Sequence, residues 1–320
     1  MVEPNPATQA ATPLPPGESV SVIIPTYFAE AWLESLLKML MLQTIPLAEI
    51  LVVDSGSTDR TREILQRYPT TLVEIEAADF DHGGTRTMAA SRASGSILVF
   101  LTQDAIPADE EALERLLGPL LAEPSLGASY GRQLANVDAS PFSEHLRLFN
   151  YPEESWVRSW EDRAVHGFKT IFISNSFAAY RKSRLAEVDY FPDNILFGED
   201  TCTVAALLQR GYLVGYVGDA RVYHSHNYTL VQEFKRYFDI GALHSLQPEL
   251  LAHFGQPTGA GKRFVRSEMV FLLNQGRYGL IPFSLLRNGL KYIAYFLGRR
   301  QALLPRSLAR FFSMHHRWWK

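Results

Sequence analysis

Four short apolar runs within the first hundred residues, each followed by helical periodicity, constrain the fold of this chain more than any other feature. Val20-Ser21-Val22-Ile23-Ile24 halts at Pro25, which has no N–H to give to a sheet ladder. Trp32, Leu33, Leu36, Leu37 and Leu40 then recur at the spacing of one helix face. Ile50 to Val53 predicts a second strand, and the chain from Asp59 a second helix with Ser57 or Thr58 near its cap. Val73 to Glu76 predicts a weaker strand, Arg86 to Ala93 a helix, and Ile97 to Leu101 a fourth strand. Strands and helices alternating over short connections specify an α/β fold with a mostly parallel sheet. Ligands of such sheets sit beyond the carboxyl ends of the strands, where Asp54 and Asp104 fall.

Further along, the pattern loosens. Phe142 to Gly167 has no clean period, Ile171 to Tyr180 reads as strand, and Glu199 to Gln209 as a helix ended by Gly211. Tyr212 to Val217 reads as strand, and the chain beyond Tyr228 as mainly helical. Residues 1–18 hold five prolines and no apolar run, so a disordered extension is expected there. The domain reading is thus an extension over 1–18, a catalytic α/β unit over 19–228 and a helical region over 229–320. No uninterrupted apolar stretch of about 18 residues occurs, which argues against a conventional transmembrane helix. The single cysteine, Cys202, excludes an internal disulfide framework and a Cys-rich metal site, and fits a reducing cytoplasm.

Two carboxylates carry the first chemical signal. Val53-Asp54-Ser55-Gly56-Ser57-Thr58-Asp59 sets Asp54 at a strand end before small, hydrogen-bonding residues. Such a turn admits a nucleotide closely, with Asp54 accepting from a base N–H; a helix cap is the plainer alternative. Asp104 in Thr102-Gln103-Asp104-Ala105 follows a run of five apolar residues, and a carboxylate there suits a hard divalent cation bridging phosphates.

Pro25-Thr26-Tyr27, the Asp54 turn and Asp104, followed by Phe197-Gly198-Glu199-Asp200 and His224-Ser225-His226, together resemble family 2 inverting glycosyltransferases over Ser19 to Tyr228. His82-Gly83-Gly84-Thr85-Arg86 and His224-Ser225-His226-Asn227-Tyr228 resemble the bacterial rhamnosyltransferases of that family, which use dTDP-rhamnose to build surface polysaccharides. The resemblance implies a GT-A-like nucleotide-sugar fold and a single in-line displacement at the anomeric carbon. It implies Asp200 as the catalytic base, with Glu199, Asn175 and Trp156 toward the acceptor. Pro25, Tyr27, Asp54, Ser55, Gly56, His82, Arg86, Gln103 and Asp104 are implied for the donor, Arg86 as a hydrogen-bond fork to nucleotide or phosphate. It also implies a manganese or magnesium ion on Asp104 with His224 or His226, His224 being the first choice. Thr102 stands where the family often has the first carboxylate of an Asp-x-Asp pair.

Charge supplies a signal independent of the family. Residues 269–320 carry nine Lys and Arg and no Asp or Glu, leaving 22 basic and 34 acidic residues in the body. Interleaved Phe, Leu, Ile, Tyr and Trp give that segment the composition of interfacial helices. The expected partner is an anionic lipid surface rather than nucleic acid. The expected location is the cytoplasmic face of the bacterial inner membrane, with a saccharide or polyprenyl-linked acceptor. Arg317-Trp318 lacks the glutamine of the Gln-x-x-Arg-Trp motif of processive synthases, so addition of one or a few sugars is expected. Two other classes compete: a non-catalytic scaffold of polysaccharide assembly, and another nucleotide-binding α/β enzyme such as a dehydrogenase. Against the latter, no Gly-x-Gly-x-x-Gly turn follows the first strand of this chain.

Overall fold

A parallel β-sheet forms the first half of the structure, a computed structural model that describes residues 12–255 and 259–319. β1 (Val20–Thr26), β2 (Glu49–Asp54), β3 (Thr71–Glu74) and β4 (Ile97–Leu101) lie in the order β3-β2-β1-β4. β5 (Ile106–Pro107), β6 (Leu126–Leu134), β7 (Trp156–Arg158), β8 (Phe177–Arg181) and β9 (Leu213–Tyr223) complete one nine-stranded mixed sheet. β8 runs antiparallel between β4 and β6, β9 parallel to β6, and β5 and β7 antiparallel to β9.

Alternation along the strands dictates two cores. Val20, Val22 and Ile24 of β1 pack with Leu33, Leu36 and Leu37 of α1 (Leu33–Met41), while Ile23, Val53 and Phe100 pack on the other face. α2 (Thr61–Leu65), α3 (His82–Arg92), α4 (Ala112–Ala122), α5 (Pro141–Asn150), α6 (Arg163–His166), α7 (Lys182–Ala186) and α8 (Glu199–Gln209) connect the strands. Leu113, Leu116 and Leu117 of α4 join the first core; Ala89 of α3 and Val204, Leu207 and Leu208 of α8 join the second. The carboxyl-terminal helices are α9 (Leu230–Leu246), α10 (Pro248–Phe254), α11 (Ala260–Asn274), α12 (Ile281–Gly298) and α13 (Arg306–Phe312); α10 packs on the second core, and a third cluster joins α9, α12 and α13. There Phe238 and Ala242 meet Ala294, Ala309 and Trp319.

Several sequence expectations shift by a few residues, each for a local reason. β1 continues through Pro25 to Thr26, because β4 pairs with it only as far as Ile23 and the missing N–H breaks no bond there. α2 starts at Thr61, since Ser57 donates its hydroxyl to Asp54 instead of capping, and Asp59 accepts from the Thr61 N–H and hydroxyl. α3 starts earlier, at His82, because Asp81 caps it by accepting from the Gly83 and Gly84 N–H groups. The strand read over Ile171 to Tyr180 is shorter, preceded by a 3-10 turn over Gly167–Ile171. The expected amino-terminal disorder does not hold for its described part. Thr12 hydrogen-bonds Thr44 and Glu114, Leu14 packs on the core, and Glu18 pairs with Arg181. Residues 1–11 lie outside the described residues.

Candidate active site

Strand pairing brings the chemistry to one edge of the sheet. Leu101 at the end of β4 pairs with Phe177 at the start of β8. Asp104 lies three residues past the first and Asn175 two residues before the second, so both flank the same edge.

On the β4 side, Asp104 meets two imidazoles. His224 Nε2 stands 3.5 Å from Asp104 Oδ1 and His226 Nε2 3.6 Å from Oδ2. Both histidines follow β9 in an extended segment, where residues two apart share a face. One ligand atom from each of the three residues can be chosen so that all lie within 4.8 Å of one another. His224 is buried, and its Nδ1 lies 3.0 Å from Gln133 Oε1 on β6. That oxygen can only accept, so Nδ1 carries a proton; Nε2 faces Asp104, donating to it while protonated and free to hold a cation once it is not. Burial acts to raise the Asp104 pKa, but the hydrogen bond from His224 and the charges of both imidazoles hold it well below the usual range. Burial, then His224, lower His226 to about 4. One carboxylate and two neutral imidazoles suit a divalent transition ion, manganese more than magnesium. The choice between the histidines dissolves, since both face Asp104.

On the β8 side, Phe197-Gly198-Glu199-Asp200 turns into α8. Gly198 sits at φ +81°, and a Cβ there would stand 2.9 Å from Leu243, so only glycine fits the turn. Glu199 is buried, pairs with Arg86 Nη1 at 3.2 Å and accepts from Asn175 Nδ2 at 3.3 Å. Burial would raise its pKa, but the charges of Arg86 and His82, with the hydrogen bonds it accepts, together outweigh this and hold it below the usual range. Asp200 accepts from the Asn175 N–H at 3.2 Å and its neighbour Thr201 N–H at 2.7 Å. Burial, then the Glu199 charge beside it, push Asp200 up to about 7.

Six expected roles change. Asp54 is wholly buried and already accepts from Thr26, Ser57 and Arg62, so it pins the turn rather than meeting a base. Arg86 and Glu199 are spent on each other, and Asn175 braces Glu199, Asp200 and Tyr180 instead of facing an acceptor. Gln103 clamps the Tyr27 main chain through both ends of its amide. Trp156 pairs in register with Tyr216 and stacks on it at 4.1 Å. Opposite Tyr216 on β6, Tyr130 lies four residues, roughly 13 Å at ~3.3 Å per residue, from Leu134, which pairs with Tyr223 just before His224. Pro25 is half-buried, and Tyr27 is exposed against Phe28. Ser55 Oγ is buried without a hydrogen-bond partner beside Gly56. His82 is edge-on to Phe80 and to His315 at 5.0 and 5.1 Å.

His315 and Gln133 were not anticipated. His315 stacks on Phe197 at 5.6 Å with the rings 9° apart, and Arg317 donates to the Ala77 carbonyl at 2.8 Å. The segment thus crosses from the acidic turn to the donor-side loop. Only the adjoining Arg317-Trp318 pair hinted at it in sequence; nothing marked Gln133, on a strand broken by Gly131 and Arg132.

The glycosyl transferase family 2 model matches residues 21–188. The chain is 41% identical over 302 residues to the O-antigen chain rhamnosyltransferase RfbN of Salmonella typhimurium, covering 94% of this chain and 96% of that protein. It is 41% identical over 307 residues to WbaN of Salmonella anatum, an O-antigen chain rhamnosyltransferase, with the same shares covered. Among solved structures, the mannosyltransferase PcManGT of Pyrobaculum calidifontis, in complex with GDP-Man and Mn2+, superposes with a TM-score of 0.58 at 20% identity, covering 97% of this chain and 88% of that one. Glucosyl-3-phosphoglycerate synthase of Mycobacterium tuberculosis, with Mn2+, UDP and phosphoglyceric acid, gives 0.51 at 20% identity, covering 76% and 81%. These structures share the GT-A-like fold expected from sequence. By its family model and by its near full-length relatives, the chain belongs to glycosyl transferase family 2.

Proposed function

We propose that this glycosyltransferase moves rhamnose from dTDP-rhamnose to a hydroxyl of a saccharide or polyprenyl-linked acceptor, with inversion, at the cytoplasmic face of the membrane. The observation that carries the reaction is Asp200, a carboxylate held by two main-chain N–H groups with its pKa pushed up to about 7. A base poised near neutrality is ionised often enough to act and basic enough to take a proton. The acceptor oxygen forms its bond to the anomeric carbon as the bond to the diphosphate breaks, and its proton passes to an Asp200 oxygen. Arg86 and Asn175 hold Glu199 and Asp200 apart in role: one carboxylate stays charged and structural, the other stays available. Ser55 Oγ, a buried polar atom with no partner, and the exposed Tyr27–Phe28 ring pair would meet the nucleoside. Asp104, His224 and His226 would hold a divalent cation, which when bound supplies positive charge against the diphosphate oxygens. The donor sugar follows the two O-antigen relatives, and the acceptor class follows their cell-surface setting.

Purified protein offered dTDP-rhamnose and a panel of UDP- and GDP-sugars tests the reading. Release of dTDP dependent on added manganese is expected, with much weaker release from the other donors. Turnover of a UDP- or GDP-sugar in preference would overturn the rhamnose assignment. Asp104→Ala, His224→Ala and His226→Ala are each expected to weaken manganese binding about tenfold or more, measured by titration. An unaltered affinity in any one removes that residue from the ligand set.

A further inference from the structure

α12 is built inside out. Its buried side consists of Ser284, Arg287, Lys291, Ala294 and Gly298. Arg287 and Lys291 both pair with Glu233 of α9, Lys291 at 3.1 Å, and Arg287 also lies 3.9 Å over the Phe142 ring. Ser284 and Asn288 donate to Glu268 of α11. The outward side carries Leu285, Leu286, Tyr292, Ile293 and Phe296, every one of them exposed, Tyr292 to 70%. With exposed Gly289 between the two pairs, these positions lie three and four residues apart along one continuous stripe, and no charged residue interrupts it. A helix facing water arranges its polarity the other way.

The ends of the stripe are cationic. Arg300 is exposed with its guanidinium 3.5 Å over the Phe296 ring, and exposed Arg277 precedes the helix at its other end. Residues 269–320 contain no acid to answer them. A second copy docked on this face by two-fold symmetry would bring the same patch against itself, cations included. An anionic bilayer instead offers acyl chains to the stripe and phosphates to its ends. Arg287 and Lys291 belong to Glu233, and Arg299 donates to the His244 carbonyl. The tail's cations are therefore fewer toward lipid than its composition implies, which leaves insertion to the apolar stripe.

We infer that α12 lies in the plane of an anionic membrane surface, with Leu285, Leu286, Tyr292, Ile293 and Phe296 inserted among the lipids and Arg277 and Arg300 on headgroup phosphates. The inference deepens the peripheral attachment proposed above, and rests on it, by naming the surface and its occupant. No helix among the described residues is long and apolar enough to cross a membrane, and the face bound to α9 fixes α12 lengthwise on the body.

Full-length protein is sedimented with vesicles of equal parts phosphatidylglycerol and phosphatidylcholine, and with phosphatidylcholine alone. Binding to the first and much weaker binding to the second are expected. Leu286→Gln combined with Ile293→Gln should lower affinity for the anionic vesicles about tenfold or more, and Arg300→Gln about fivefold. Both changes are at exposed positions, and retained donor-nucleotide binding verifies the fold. A double variant that binds vesicles as the wild type does would overturn the assignment of α12 while leaving peripheral attachment standing. A wild type that ignores anionic vesicles at low salt would reject both. Concentration-dependent dimerisation lost in the double variant, without vesicle binding, would assign the stripe to a second copy instead.

Discussion

Asp200 and Glu199 are adjacent carboxylates with opposite fates, and the difference comes from partners rather than from residue type. Glu199 has the Arg86 guanidinium; Asp200 has the Asn175 and Thr201 N–H groups, the Thr201 hydroxyl and its neighbour's negative charge. Activity should accordingly rise with pH through about 7 as Asp200 loses its proton, and a rate profile at saturating donor checks this. Asp200→Asn should lower turnover about 10^3-fold, within the range for a lost general base, with donor affinity unchanged by titration. The same change should stabilise the fold at alkaline pH. A pKa raised in the native state means stability is full below the unfolded value, near 4, and is lost as pH rises through about 7. The Asn variant escapes that loss, so its melting temperature should exceed that of the wild type at pH values near 8 and converge with it near 4. A flat difference across that range would mean the Asp200 proton is not coupled to folding. None of this partition was legible in the residue string. Glu199-Asp200 announced a site, but Arg86 lies 113 positions upstream and its use on Glu199 is decided only by packing.

Elements with unbroken patterns were legible, and those with interrupted ones were not. β4 and α8 occupy the residues their sequences predict, because five consecutive buried apolar side chains leave one outcome and Gly211 ends the helix run. β9 runs six residues past its expected end, since Gly218, Asp219 and Arg221 mask the continuing ladder with β6. β6 itself carries Gly131 and Arg132 and left no signal, although it delivers Gln133 to His224. The crossing of α9 and α12 was equally invisible. A Cβ on Gly298 would stand 2.0 Å from the Phe238 carbonyl oxygen, so the two backbones touch where glycine permits it. Gly298→Ala must spread the helices and should cost about 1–3 kcal/mol. For a chain of this size that is a fall in melting temperature of roughly 1.5–4.5 °C, measured by calorimetry. An unchanged melting temperature would mean the crossing relaxes freely.

At the scale of the whole molecule, a segment near the carboxyl terminus closes a site whose other parts come from the first two-thirds of the chain. Trp319 is buried against Phe238, Met314 N–H is accepted by Asp239, and between them His315 lies on Phe197 and beside His82. Burial, then His82, lower His315 to about 3, so it is neutral in use. His315→Ala should lower transfer roughly tenfold or more by loosening the acidic turn, with manganese affinity unchanged. It should also raise the share of donor lost to water, because an open site admits it. Steady-state transfer and dTDP release without acceptor measure the two effects separately, and equal values to wild type in both would reduce His315 to packing. The order of these parts along the chain also sets a timetable. During synthesis at about 5–20 residues per second, His315 leaves the ribosome some 6–23 s after Asp200. α12 emerges in that interval, ahead of the residue that completes the site. In the attachment proposed for α12, the lipid-facing element is thus made before the residue that closes the site.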